Sequence, residues 1–367
     1  MPTETLKVLH VIARFNIGGT ARYLTHLLPG LEARGLCPIL VVGRVQKGEV
    51  EDSSLSSLAF LRLENLGRRV SPLSDFKSYL KLRRIIKKVR PDLIHTHTFK
   101  AGFLGRLMYF GIPKIHTYHG HLLTDPEFTK IQLKLIMIVE KFLAIFTKKI
   151  VVTGQRVGTD LLAKGVGQPK RYVSIPGESS LNNLTSREIA RKNLDLTNEF
   201  TVLWLARVTS VKNPQLLVEV ARQMPEVKFL MAGDGIDLNS IRAMAPSNIR
   251  ILGIVDPRKI LLAADIFLST SLNEGIPYSI MEAQAAGLPV VAVKCGALSE
   301  VVADGINGYL LEPDAKAIVN KTRELQSNSE LLMKFSEKSK AAATNKATEI
   351  DFVDKHVELY RNIMKGN

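Results

Sequence analysis

The chain has 367 residues, room for two domains of ordinary size, with 46% hydrophobic residues and a formal net charge of +15. No stretch reaches the roughly 18 consecutive apolar residues needed to cross a bilayer, the N-terminus lacks the apolar core of a signal peptide, and the two cysteines, Cys37 and Cys295, stand outside any CxxC pattern. A membrane-spanning chain and a disulfide-stapled secreted domain are thereby excluded, and a cytoplasmic protein with two free thiols is expected.

The charge is lopsided: residues 1–170 carry 27 Lys+Arg against 12 Asp+Glu, whereas residues 171–367 carry 23 of each. A field of this kind draws an anionic partner to one half, either nucleic acid, an anionic membrane surface or a phosphorylated substrate. Base-stacking binders interleave aromatic with basic residues, and with 6% aromatics and no such run a nucleic-acid module is the weakest of the three readings.

Apolar runs at 6–13, 38–42, 91–97, 114–120 and 148–154 read as strands separated by amphipathic helical patterns, the order of a doubly wound parallel α/β domain. The polar, turn-rich stretch 175–200 breaks this order, and strands resume at 201–206, 227–233, 249–253, 265–270, 289–293 and 308–313. The expected organisation is a first domain over 1–178, a linker over 179–198, a second domain over 199–345 and a C-terminal helix over 346–367, solvated or packing back on the first domain. Two such domains leave a cleft between them. The apolar segment 130–149, with lysines at both ends, has two readings, a membrane-surface helix or, preferred, a packing helix whose rim of Lys130, Lys134, Lys148 and Lys149 touches lipid headgroups; the basic helix 81–90 is given the same lipid contact.

Chemistry concentrates at a few places. Gly18 and Gly19 close a loop after the first strand and let backbone amides approach a phosphate or a hydroxyl, with Arg22 in the first turn beyond them. His95, His97, His116, His119 and His121 crowd the ends of two strands, but without cysteine and with almost no carboxylate nearby they argue against a metal. Arg207 and Lys212 follow the first strand of the second domain and suit a diphosphate. In "EGIPYSIMEAQ" a helix is expected from Pro277 to about 286, its free N–H groups forming an anion site. Two carboxylates, Glu274 and Glu282, flank that anion site and suit neutral hydroxyl donors such as a ribose and a sugar. Asp234 in "AGDG" is read as part of an ordinary turn.

"EGIPYSIMEAQAAGLPVVA" with "GALSEVVADGINGYLLEP", "LHVIARFNIGGTARYLTHLL", "HTYHGH" and "LARVTSVKNPQLLVEVA" together resemble the retaining glycosyltransferases of family 4 over nearly the whole chain. The resemblance implies the two-Rossmann GT-B fold and transfer of a sugar from a nucleotide diphosphate, with UDP the expected nucleotide, to an acceptor hydroxyl with retention. It further implies that Arg207 and Lys212 clamp the diphosphate with amides of Ile276, Tyr278 and Ser279. Glu282 would take the ribose, Glu274 the sugar hydroxyls, and His119 the sugar from across the cleft. His97, His121 and Arg22 are assigned to the acceptor and His95 to structure. The chain has no Asp-x-Asp pair, so neither a metal nor another cofactor is expected. The expected acceptor is a lipid-linked or surface glycan, which would place the protein at the inner face of the membrane; a nucleotide-sugar 2-epimerase of the same architecture is the alternative.

Overall fold

Apolar runs rich in Val, Ile and Leu form strands buried on both faces, the condition of a parallel sheet sandwiched between helices. The computed structural model describes residues 5–46, 49–67, 71–108, 111–120, 128–178, 181, 183–344 and 349–366. Its chain divides into two units, one running to Gly177 and resuming at Glu349, the other spanning Glu178–Thr348.

Unit 1 holds β1 (Lys7–Ile12), α1 (Gly19–Glu32), β2 (Cys37–Val42), β3 (Phe60–Arg62), α2 (Pro72–Val89), β4 (Leu93–His97), α3 (Phe99–Arg106), β5 (Lys114–Tyr118), α4 (Lys130–Ile145), β6 (Lys149–Val152), α5 (Gln155–Ala163) and β7 (Tyr172–Ser174). Its parallel sheet runs β3-β2-β1-β4-β5-β6-β7, so the order reverses between β1 and β4. Strands β3 and β7, three residues each, lie outside the runs read as strands. Both sit at sheet edges, where pairing with a single neighbour sustains a strand too short to show a pattern.

Unit 2 opens with α6 (Arg187–Asn193), followed by β8 (Thr201–Leu205), α7 (Pro214–Arg222), β9 (Lys228–Ala232), α8 (Leu238–Met244), β10 (Ile249–Gly253), β11 (Ile266–Ser269), α9 (Tyr278–Ala285), β12 (Val290–Val293), β13 (Gly308–Leu311), α10 (Ala315–Ser327) and α11 (Ser329–Thr344). The sheet order β10-β9-β8-β11-β12-β13 reverses between β8 and β11. Burial alternates along β8: Val202 and Trp204 pack with Leu217 and Ile318 on one face, Leu203 with Phe267 and Ile280 on the other.

One boundary differs from the sequence expectation. The stretch taken as a linker belongs to unit 2, because Ala190 and Leu194 join its core and the Arg191 guanidinium donates to the carbonyls of Thr197, Glu199 and Ala263. The tail takes the second of its two expected forms, packing back on the first domain instead of standing in solvent. α12 (Glu349–Lys365) belongs to unit 1 and buries Phe352, Val353, His356, Tyr360 and Ile363 there.

Candidate active site

In a doubly wound sheet, the strand ends on either side of the order reversal leave a crevice where ligands bind. In unit 2 that place lies beyond β8 and β11, and the loops leaving these strands carry Arg207, Lys212 and Glu274. A short 3-10 helix over Ser210–Lys212 presents Lys212, and Asn213, in the left-handed conformation at φ 49°, turns the chain into α7. Lys212 Nζ lies 2.5 Å from Glu274 Oε1, both side chains largely shielded from water. Behind the pair runs a relay: buried Trp204 donates its indole N–H to Thr270 Oγ1 at 2.9 Å, and Thr270 donates to the Lys212 carbonyl at 2.8 Å. The Leu272 amide donates to the Val211 carbonyl at 2.9 Å, stitching the two loops together. Arg207 is half-buried and carries no side-chain partner among the described residues.

Close backbone approach explains two glycines. Gly296, at φ 49°, passes so near the Glu274 carbonyl that a Cβ there would lie 1.8 Å from the oxygen. Gly233, at φ 134°, passes the Ala206 carbonyl just as closely, a Cβ falling 1.9 Å away. The "AGDG" turn thus buttresses the loop carrying Arg207, with Val208 donating to the Asp234 carbonyl and Asp234 Oδ1 accepting from the Gly235 amide.

Helix α9 begins at Tyr278, one residue later than expected. Pro277, with ψ 130°, is its extended N-cap, so no helical N–H is lost to it. No side chain caps this N-terminus and no acid occupies its first turn, so the positive end of the helix dipole faces an anion site without a competing carboxylate. Glu282 is the fifth residue of α9, buried and already engaged; Ile276 and Tyr278 are half-buried. Cys295 sits beside Glu274, and burial together with that carboxylate pushes its thiol up to about 12.

In unit 1 the corresponding reversal gathers histidines. His10 on β1 shares a proton with His97 on β4, Nδ1 to Nε2 3.1 Å, and His97 Nδ1 meets His119 Nε2 at 3.0 Å. His95 is held by Tyr360 of α12 at 2.7 Å and Thr117 at 2.6 Å, while Tyr23 of α1 meets His356 of α12 at 2.6 Å. His116 bonds Thr96 at 2.9 Å. Burial, reinforced by neighbouring histidines, lowers the pKa of His10 to about 3 and holds those of His95 and His97 well below the ordinary range. His97 therefore does not line a surface, contrary to its assignment to the acceptor; it touches His119, which is half-buried. Gly18, at φ 152°, caps α1 and Arg22 lies half-buried in its first turn. His121 falls outside the described residues. Sequence reasoning missed His10, Tyr23, His356 and Tyr360; only the placement of His10 on a strand facing His95 and His97 could have signalled it. Thr98, directly after His97, holds φ 68° and ψ 153°, a region that β-branched residues avoid.

Ligand atoms of His10, His95 and His97 lie within 4.8 Å of one another, a spacing open to a metal. Their nitrogens are spoken for: both of His95 and both of His97 are hydrogen-bonded, and only His10 Nε2 lacks a partner among the described residues. A neutral imidazole has one lone pair, so this set is organised for hydrogen bonding and fits a metal poorly.

Residues 17–176 match the family model "Glycosyltransferase Family 4" and residues 186–342 the model "Glycosyl transferases group 1". The UDP-Gal:alpha-D-GlcNAc-diphosphoundecaprenol alpha-1,3-galactosyltransferase of Escherichia coli is 26% identical over 86% of this chain and 87% of its own. The alpha-monoglucosyldiacylglycerol synthase of Streptococcus pneumoniae is 27% identical over 64% of this chain and 59% of its own. Among solved structures, sucrose-phosphate synthase of Thermosynechococcus elongatus superposes with a TM-score of 0.86 at 20% identity, covering 99% of this chain and 100% of that one. HepE of Anabaena, in complex with UDP and glucose, superposes with a TM-score of 0.82 at 20% identity, covering 97% and 99%. With two parallel α/β sheets of the GT-B kind and two family models that between them take in most of its length, the chain belongs to the group 1, family 4 glycosyltransferases.

Proposed function

We propose that the protein transfers a sugar from a UDP-sugar to an acceptor hydroxyl with retention of anomeric configuration, and that it needs no metal. The observation that carries this reading is the constellation beyond β8 and β11: a shielded Lys212–Glu274 pair, an Arg207 side chain without a partner among the described residues, and the uncapped start of α9. Two cations and a helix N-terminus neutralise a pyrophosphate as its charge grows, the work that a divalent ion performs elsewhere. On this reading Arg207, Lys212 and the amides of Ile276, Tyr278 and Ser279 hold the diphosphate. Glu282 takes the ribose hydroxyls, Glu274 and His119 bind the sugar, and the amides of Gly18 and Gly19 with Arg22 serve unit 1's share of substrate binding.

In the reaction the bond from the anomeric carbon to the diphosphate oxygen breaks as the acceptor oxygen bonds the same face of that carbon. The departing phosphate oxygen takes the acceptor's proton, giving UDP and the glycoside, so catalysis is positioning and charge stabilisation. The E. coli relative's name, a galactosyltransferase acting on a diphosphoundecaprenol-linked sugar, and the lipid synthase of Streptococcus support a lipid-linked or surface glycan acceptor at an anionic membrane surface.

The test is calorimetry and turnover with a panel of UDP-sugars in the presence of EDTA. Release of free UDP with an acceptor and NMR showing the donor's anomeric configuration in the product are expected. Retention of the nucleotide as a new UDP-sugar would instead identify an epimerase, and loss of activity in EDTA would overturn the metal-free reading.

A further inference from the structure

Helix α4 is built inside out. Its single acid, Glu140, is fully buried, accepting from the equally buried Arg106 at 2.8 Å through both carboxylate oxygens and from the hydroxyl of Tyr118. Ile136, Leu143 and Ala144 pack beside it. On the opposite face Ile131, Leu135, Ile138, Phe142 and Ile145 repeat at steps of four and three, one continuous stripe, each between 51 and 72% exposed. A helix that merely covered a core would turn these residues inward and Glu140 out. The pair with Arg106 pins the rotation instead: exposing Glu140 would leave a buried guanidinium without its charge partner. A Thr129–Gln132 capping box fixes the start of the helix, so the stripe is presented by a rigid element.

We infer that this stripe is a membrane-docking face and that its occupant is the interfacial region of an anionic bilayer, with α4 lying flat in the headgroup layer. Charge decides between occupants. Lys130, Lys134 and Lys141 are exposed along one edge of the stripe, on the half of the chain that carries the whole +15. A second copy of the chain would bring the same positive edge and no acid on its own α4 to meet it, whereas an anionic lipid surface complements both the stripe and the rim. No helix among the described residues is long and apolar enough to cross the membrane, so the mode is interfacial. The inference rests on the reading that the enzyme works at an anionic surface, and it names the element that touches that surface.

The experiment is flotation of the full chain with vesicles of phosphatidylglycerol mixed with phosphatidylcholine, against phosphatidylcholine alone, with the UDP-induced melting shift as a fold control. The variants are Ile138→Asp with Phe142→Asp, and Lys134→Glu with Lys141→Glu. Wild type should float with the anionic vesicles. The aspartate pair should lower the bound fraction about tenfold or more, the glutamate pair should lower it most at low salt, and both should keep the UDP shift. Wild type bound and the aspartate pair bound equally well sinks the assignment to α4 while leaving an enzyme at a membrane. Wild type indifferent to vesicles sinks both. A wild-type dimer that the aspartate pair converts to monomer in sedimentation would give the stripe to a second copy and overturn the inference.

Discussion

Lys212 Nζ meets Glu274 Oε1 at 2.5 Å although 62 positions separate the two residues, one leaving β8 and the other β11. The carboxylate neutralises the ammonium, and on the proposed reading a diphosphate would compete with it for Lys212. Replacing Lys212 by Ala should weaken UDP by about 10- to 100-fold, the worth of a charge-assisted contact. Glu274→Ala should keep UDP affinity or tighten it while turnover falls by at least about 100-fold if, as proposed, Glu274 holds the sugar as it reacts. Calorimetry beside initial rates checks both; normal behaviour of both variants would remove the pair from the site.

The chain's single tryptophan reports on the loop that carries Lys212. Thr270→Val keeps the shape of the side chain but strands the Trp204 indole N–H and the Lys212 carbonyl, at a cost of about 1–3 kcal/mol. Expected are a lower urea midpoint, a shifted Trp204 emission and weaker UDP binding together. Unchanged UDP affinity would show that the relay does not position Lys212.

Gly296→Ala places a methyl against the Glu274 carbonyl, backbone against backbone, and adds a left-handed φ. Nothing flexible is there to yield, so the 274 loop must move. UDP affinity and melting temperature should both drop, whereas the same change at Gly253, where φ is also positive but no atom lies near, should cost only about 1 kcal/mol of strain and spare UDP.

Thr98 gives the opposite sign. Its φ of 68° is costly for a β-branched residue, so Thr98→Gly should leave stability unchanged or raise it by about 1 kcal/mol, against the usual loss for such a change in ordered backbone. Chemical denaturation measures this, and a clear loss would show that Thr98 makes contacts that outweigh the strain.

The buried histidines set the acid side of the stability curve. His10, His95, His97 and His356 are neutral in the fold, their pKa values depressed by burial first and, for His10, His95 and His97, by neighbouring histidines second, against 6.5 when unfolded. The unfolded chain therefore binds more protons below that value. Stability should be complete above pH 6.5 and fall as pH drops through 6 and 5, by up to about 1.4 kcal/mol per pH unit for each histidine still neutral. A urea midpoint flat between pH 7.5 and 5 would contradict the cluster's burial.

Strands of four residues or more were legible in the sequence, and the loops that carry Arg207, Lys212 and Glu274 do leave β8 and β11 side by side, because a strand end announces itself locally in composition. Gly296 was not: its necessity comes from a carbonyl 22 positions away, which no periodicity encodes. His10 was passed over because one histidine in an apolar strand looks like any core residue until β4 is laid beside it. For the lysine-flanked segment 130–149 the sequence left a packing helix and a membrane-surface helix both open and favoured the first; it could not show that Glu140 points in and five apolar residues point out, since the partner that sets the rotation, Arg106, lies 34 positions back.

Helix α12 donates Tyr360 to His95 and His356 to Tyr23, across 265 and 333 positions. Residues translated first must therefore wait for residues 349–365 before their lobe can close, while unit 2, contiguous in between, is free to mature earlier. During synthesis the half-finished lobe therefore leaves exposed the apolar face that Phe352, Val353 and Tyr360 cover in the finished fold.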